Sequence, residues 1–107
     1  FTSSEQAVTA DTVLVVSHGL GAVPLLLDVV LRCTDSGGEH GYVEDEEAYV
    51  AHVTGDNVSS DAGVTVSKDG TSVTITQGAA IRIHSQSTKN LVVATPSKWK
   101  WVIRAWV

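Results

Sequence analysis

Four histidines and one cysteine are among the residues of this 107-residue chain that could ligate a metal or act as a nucleophile or base. The histidines are far apart in the sequence and lack the spacing of a zinc site: His18, His40, His52 and His84. The lone Cys33 can form neither an internal disulfide nor a cysteine-ligated zinc site, because such a site needs several thiolates. The sequence therefore predicts no metal site, no catalytic residue, no cofactor and no enzyme.

Two of these residues have structural interpretations. His18 follows Ser17 and precedes Gly19, which does not give the Gly-x-Ser-x-Gly pattern of serine hydrolases. We expect its ring to cap a turn or to bond a loop carbonyl. Cys33 ends a stretch that begins at Leu25 and is apolar at every second position. We expect Cys33 to share the apolar face of this strand and its thiol to be buried. We expect no catalytic role for the thiol, because no helix start or neighbouring base is present to activate it.

Acidic residues surround Tyr42, with Glu39 before it and four carboxylates at 44–47 after it. Paired carboxylates can do acid–base chemistry or bind calcium, but the spacing does not match that of a calcium-binding loop. Acidic runs of this kind are typical of a solvated loop face. We predict an exposed loop here, with candidate ligand contacts at His40, Tyr42, Asp45 and Glu46.

Three tryptophans lie close to residue 107. In an extended strand Trp99 and Trp101 share one face, whereas Trp106 points to the other. Aromatic residues on both faces indicate either intrachain core on both sides, or core on one side and a contact surface on the other. That surface would be a subunit interface or an aromatic sugar-binding site. We predict that Trp106 and Arg104 lie near a subunit interface.

Strands must position these side chains. The 18 valines, 4 isoleucines and 11 threonines are β-branched residues that favour strands, and no segment has sustained helical periodicity. We predict an all-β fold, an antiparallel β-sandwich of about seven or eight short strands. An N-terminal arm or weak strand over 1–11 precedes a single sandwich domain over 12–107. The predicted strands are 12–17, 25–33, 48–53, a hairpin over 64–76, 80–84, 91–94 and 99–107.

The hairpin over 64–76 gives the most specific structural prediction. Its centre is Asp69-Gly70, a pair typical of a two-residue type I′ turn. The resulting register pairs three positions on each strand: Lys68 with Thr71, Val66 with Val73, and Val64 with Ile75. Both apolar pairs then lie on one face of the sheet.

Charge and hydropathy exclude two classes of partner. Twelve acidic and seven basic residues give a net charge of -5, whereas nucleic-acid binding needs a cationic surface. No apolar run approaches the about 18 residues of a membrane span, and no signal-peptide pattern opens the sequence. We expect no nucleic-acid partner, no membrane insertion and no signal peptide. Methionine is absent, so we expect that Phe1 is not the biological start of the protein.

Two segments resemble a family of small virion proteins of tailed phages and prophages. The first reads His-Gly-Leu-Gly-Ala-Val-Pro at 18–24 and continues through the apolar stretch to Arg-Cys-Thr at 32–34. The second, Gly-Tyr-Val-Glu-Asp-Glu at 41–46, is similar to a family pattern that has glycine in place of Glu44. The segment 99–107 is also similar to the family's C-terminal strand. The firm parts of the resemblance are 14–53 and 96–107.

This resemblance implies a structural module on the exterior of a virion, assembled in the bacterial cytoplasm. The module would be a head decoration or head fibre, or a tail fibre or spike. It implies self-association as a homotrimer, with capsid or tail components as further partners and host-surface glycan attachment as a further role. The layout is also similar to the β-sandwich of H-type lectins, so the alternative is a carbohydrate-binding lectin module. An enzyme is the third and least favoured class.

Overall fold

The computed structural model describes residues 1–50 and 63–107. These residues form nine strands: β1 (Gln6–Ala7), β2 (Val13–Ser17), β3 (Leu26–Cys33), β4 (Glu47–Ala48), β5 (Val64–Lys68), β6 (Ser72–Gln77), β7 (Arg82–His84), β8 (Leu91–Val93) and β9 (Trp99–Trp106). A single 3₁₀ turn at Pro96–Lys98 leads into β9. Within the described ranges, no helix has the length and hydropathy needed to cross a bilayer.

The strands form two main antiparallel sheets and one additional hairpin. The first sheet has the order β1-β9-β3-β4 and the second has the order β2-β6-β5, while β7 and β8 pair with each other. The longest ladder joins β3 to β9 over eight residue pairs, from Leu26–Trp106 to Cys33–Trp99. The predicted all-β antiparallel sandwich is confirmed.

The core lies between the sheets and follows the two-residue period of the strands. Side chains from β3 and β9 of the first sheet meet those of β6 and of the 81–83 segment. The central members are Leu31, Cys33, Trp99, Trp101, Ile103, Val73, Ile75, Ile81 and Ile83, all almost completely buried. The predicted buried thiol at Cys33 is confirmed, as is the inward direction of Trp99 and Trp101.

The N-terminal segment forms an edge strand of the first sheet. Gln6 and Ala7 pair with β9, and Thr2 makes an isolated bridge to Arg104. Between these two contacts the segment advances four residues while β9 advances three, so the strand carries a one-residue bulge. The sequence predicted either an arm or a weak strand over 1–11, and the structure has a short strand there.

The register of the β5–β6 hairpin differs from the prediction by two residues. The observed pairs are Lys68 with Val73, Val66 with Ile75, and Val64 with Gln77. A slip of two residues keeps every side chain on its face, so the predicted grouping of the apolar residues on one face holds although their partners are wrong.

The Asp69 side chain is the cause of this difference. Its carboxylate accepts the backbone N–H groups of Thr71 at 2.8 Å and Ser72 at 2.7 Å, and its own N–H donates to the carbonyl of Ser72 at 2.9 Å. Gly70 and Thr71 thus occupy the turn centre, and neither has the positive φ of a type I′ turn. Aspartate at the first position of a turn commonly makes these bonds.

Five other predicted strands, at 12–17, 25–33, 80–84, 91–94 and 99–107, are found with ends shifted by at most two residues. The predicted strand 48–53 overlaps β4 (Glu47–Ala48) only at Ala48, and it is wrong for Tyr49 and Val50, which lie in no strand; its residues 51–53 lie outside the described residues. His52 and residues 54–62 lie outside them as well.

Candidate functional site

Four large apolar side chains are exposed where β3 begins and β9 ends. Leu26 pairs with Trp106, and the N–H of Leu25 donates to the carbonyl of Trp106 at 2.9 Å. The exposed fractions are 78% for Leu25, 65% for Leu26, 48% for Trp106 and 64% for Val107. We call these four residues the apolar end.

The apolar end presents side chains on both faces of the ladder. Leu26 and Trp106 lie on the outer face, and Leu25 and Val107 have the parity of the core face, because successive strand residues alternate. A cluster of large exposed apolar side chains is typical of a contact surface. The predicted contact role of Trp106 is compatible with its exposure and stays a prediction.

A row of ion pairs lies beside the apolar end on the outer face. Arg104 donates to Asp28 at 2.9 Å and to Glu47 at 2.7 Å, and Arg32 donates to the same Glu47 oxygen at 2.7 Å. The hydroxyl of Tyr49 also donates to Asp28. Hydrogen bonds from Arg104 and then Arg32 hold the pKa of Glu47 below its usual value.

Two buried valines of the outer face lie between these ion pairs. Val30 and Val102 pair with each other and are 2% and 1% exposed. Arg32 and Arg104 lie on either side of this pair and converge on one oxygen of Glu47. Arginines in such positions commonly lay their aliphatic stems along apolar neighbours while the guanidinium groups stay at the surface. Arg104 has an intrachain role that the sequence did not indicate, and its predicted place at an interface stays a prediction.

Glu39 ties the predicted exposed loop to the core. Its carboxylate accepts the indole N–H of Trp99 at 2.9 Å and the backbone N–H of Thr95 at 2.8 Å, and the Thr95 hydroxyl donates to its other oxygen. Burial raises the pKa of Glu39, but the bonds from Thr95 and Trp99 outweigh this and hold its pKa below the usual value. Glu39 is therefore a structural carboxylate.

In the predicted exposed loop, Asp45 is exposed and His40, Tyr42 and Glu46 are half-buried; their ligand contacts stay a prediction. His40 bonds the carbonyl of Val93 at 2.9 Å through Nε2. The hydroxyl of Tyr42 donates to the carbonyl of His84 at 2.7 Å. The carboxylate of Glu46 accepts the Gln86 amide at 2.7 Å.

Tyr42 also explains part of this burial. Its ring meets that of Trp99 edge-on, with 5.4 Å between the ring centroids and an interplanar angle of 76°. Edge-to-face aromatic pairs of this kind stabilise a packed core. The loop is thus folded back on the sandwich because its side chains find partners there, which a local acidic pattern does not reveal.

His18 has the structural role that the sequence predicted. It is 4% exposed, its Nε2 bonds the carbonyl of Asp69 at 2.9 Å, and its Nδ1 accepts the N–H of Leu20 at 3.1 Å. Both ring nitrogens are therefore occupied in holding the 18–20 turn against the β5–β6 hairpin. The prediction that His18 caps a turn or bonds a loop carbonyl is confirmed.

Gln77 is a central residue that sequence reasoning missed. It is 3% exposed, and its side-chain oxygen accepts the indole N–H of Trp101 and the backbone N–H of Thr9, each at 2.9 Å. Its amide nitrogen donates to the hydroxyl of Thr12 at 3.1 Å. Alternation along β6 could have indicated this burial, because Gln77 lies on the same strand face as the buried Val73 and Ile75.

The polar side chains do not converge on a catalytic or metal-binding arrangement within residues 1–50 and 63–107. No group of three or more histidine, cysteine, aspartate or glutamate side chains in these ranges is placed to hold a metal ion. The carboxylates that do converge are neutralised by arginine or bound to backbone N–H groups. The apolar end is therefore the candidate functional site.

No family model, curated protein or solved structure matches the sequence. The resemblance to virion proteins therefore depends on the quoted motifs alone and stays a prediction.

Proposed function

We propose that this chain is a structural, non-enzymatic module on the exterior of a tailed-phage virion, where it acts by self-association as a homotrimer. The observation that carries the proposal is the exposure of the apolar end beside an internally neutralised row of charges. The motifs at 18–24 and 41–46 support the choice of a virion protein. Head decoration and tail fibre or spike are the two locations that the proposal includes, with capsid or tail components as partners.

The mechanism of assembly is burial of the apolar end between copies of the chain. Tryptophan is enriched among the residues that dominate interface energies, and Trp106 has the largest side chain of the apolar end. Complete burial of a large apolar side chain contributes about 1.5–3 kcal/mol, so the exposed parts of four such residues supply a substantial driving force. The paired charges of Asp28 and Arg104 form a polar rim that adds no net repulsion.

Imaging of assembled particles tests the location. Antibody labelling of purified particles is expected to show the chain on their exterior, either at three-fold positions of the head or at the tail. The absence of the chain from purified particles, or its presence only in the host-cell fraction, would contradict the proposal.

A carbohydrate-binding lectin module is the second candidate. The half-exposed ring of Trp106 lies beside Asp28, Arg104 and the exposed Tyr49, which combines an aromatic surface with polar groups. A glycan array separates the two candidates: a lectin would bind a defined glycan, lose it in Trp106→Ala and keep it in Val93→Ala. Absence of binding by the folded wild-type chain would count against the lectin.

A further inference from the structure

The second sheet has an open edge along β2. Within the described residues, β2 pairs with β6 on one side and with no strand on the other. We propose that this edge pairs in antiparallel fashion with the β2 strand of a second copy of the chain, so that the two three-stranded sheets become one continuous sheet across a two-fold axis.

The hydrogen-bond pattern shows which backbone groups are available. The N–H of His18 donates to Thr71, and the N–H of Gln77 donates to the carbonyl of Thr12. In an antiparallel ladder such bonded positions alternate with non-bonded ones, so the even residues of β2 bond β6. The N–H and C=O groups of Val13, Val15 and Ser17 therefore point away from β6 to the open edge.

These free groups are complementary to themselves under a two-fold rotation. With Val15 opposite Val15 of the second copy, Val13 lies opposite Ser17 in both directions. Every free donor on one strand then faces a free acceptor on the other, as a bonded antiparallel pair requires. Contact of an identical patch with itself is the usual form of a two-fold interface.

The side chains favour the same pairing. Val13 and Val15 are 60% and 59% exposed on the outer face of the sheet. Pairing would bring the two Val15 side chains together and continue the apolar surface across the axis, and such cross-strand β-branched pairs stabilise a sheet. Residues 12–17 carry no charge. Two β2 strands can therefore approach each other without repulsion between like charges on these residues, although the net charge of the chain is -5.

The other edges of the two main sheets are protected in the ways that natural proteins use to prevent pairing. The N-terminal edge strand carries a bulge and the charged Glu5. The edge strand β4 is two residues long and includes the ion-paired Glu47. The edge strand β5 carries Lys68, which donates to the carbonyl of Pro24 at 2.5 Å. The edge of β2 has neither charge, proline nor bulge, so a second β2 is the partner that matches it.

The inference does not depend on the proposed virion function. It uses a different strand from the apolar end, so single substitutions remove the two contacts separately. Trp106→Ala acts on the apolar end alone and Val15→Lys acts on the β2 edge alone.

Sedimentation equilibrium in the Trp106→Ala background tests the β2 contact. We expect a dimer of the chain, and we expect Val15→Lys to weaken its association about tenfold or more, because it removes an apolar pair and places two like charges on the axis. Ser67→Lys adds the same charge to an exposed position on the same face of β5 and is expected to leave association unchanged. A monomeric Trp106→Ala chain, or equal effects of the two lysines, would overturn the inference.

Cysteine cross-linking tests the register. Val13 and Val15 are equally exposed, but only position 15 faces itself across the axis. Under mild oxidation Val15→Cys is expected to form a reducible dimer, whereas Val13→Cys forms about tenfold less, because position 13 is four residues or about 13 Å from its own copy. The double variant Val13→Cys/Ser17→Cys restores cross-linking. Equal cross-linking of the two single variants would show random collision and contradict the proposed pairing.

Discussion

At the scale of single residues, two buried tryptophans depend on polar side chains from distant parts of the chain. The indole N–H of Trp99 donates to Glu39 and that of Trp101 donates to Gln77, each at 2.9 Å. A buried indole N–H without an acceptor loses a hydrogen bond that it makes in the unfolded chain. Glu39 and Gln77 are thus required by the core.

Replacement of Gln77 by leucine is expected to lower the free energy of unfolding by about 1–3 kcal/mol, because the N–H groups of Trp101 and Thr9 lose their acceptor. Urea unfolding followed by tryptophan fluorescence measures the change. The same substitution at Gln86 removes only a solvent-exposed hydrogen bond to Glu46, so it serves as the control and is expected to change the free energy by less than about 1 kcal/mol. Equal effects of the two variants would show that the Trp101 contact contributes nothing.

Glu39 makes the stability of the fold depend on pH. Its pKa is lowered in the folded chain from the usual 4.5, so its contribution is present above about pH 4.5 and is lost as pH falls through its folded pKa. We expect the free energy of unfolding to decrease from pH 7 to pH 3. In Glu39→Gln this decrease is smaller, and in the exposed control Glu44→Gln it matches the wild type. An unchanged pH dependence in Glu39→Gln would contradict this role.

At the scale of elements, the loop between β3 and β4 is held by its backbone as well as by Glu39. Gly38 has a φ of 69°, and a Cβ atom there would collide with the carbonyl of Tyr42. The N–H of Gly38 donates to Asp35, and Glu39 and Tyr42 exchange two backbone bonds. The turn therefore requires glycine at position 38.

Gly38→Ala is expected to lower the free energy of unfolding by about 1–3 kcal/mol, from a left-handed backbone with a side chain and from the collision with Tyr42. Gly37→Ala is the matched control, because the added Cβ would meet only the flexible side chain of Asp35 at 3.2 Å. Thermal unfolding compares the two variants. A Gly38→Ala chain as stable as Gly37→Ala would show that this loop adapts at no cost.

The elements also show what the sequence could and could not predict. Alternation of apolar residues predicted β3 and β9 and the inward direction of Trp99, because a strand with one buried face carries that information locally. The hairpin register was wrong because a side chain, Asp69, closes the turn. The loop contacts of Glu39 were missed because its partner Thr95 is 56 residues away in the sequence. A run of acidic residues also looks the same in the sequence whether its carboxylates are solvated or bound to other groups.

At the scale of the whole molecule, several charged side chains are paired within the chain, and the apolar end and the β2 edge are two of its exposed apolar features. The ion pairs of Arg32 and Arg104 neutralise the outer face of the first sheet, and the bonds of His18 and Glu39 fix the loops. Under the proposed function, the apolar end and the β2 edge are the surfaces through which the chain would contact other copies.

Static light scattering tests assembly of a homotrimer through the apolar end. In a chain that carries Val15→Lys, so that the β2 edge does not contribute, we expect a mass three times the 11.3 kDa of one chain. Addition of Trp106→Ala is expected to reduce this to the mass of one chain, while addition of Val93→Ala, at a similarly exposed apolar position, leaves it unchanged. A Val15→Lys chain that is already monomeric, or one whose mass Trp106→Ala does not change, would contradict assembly through the apolar end.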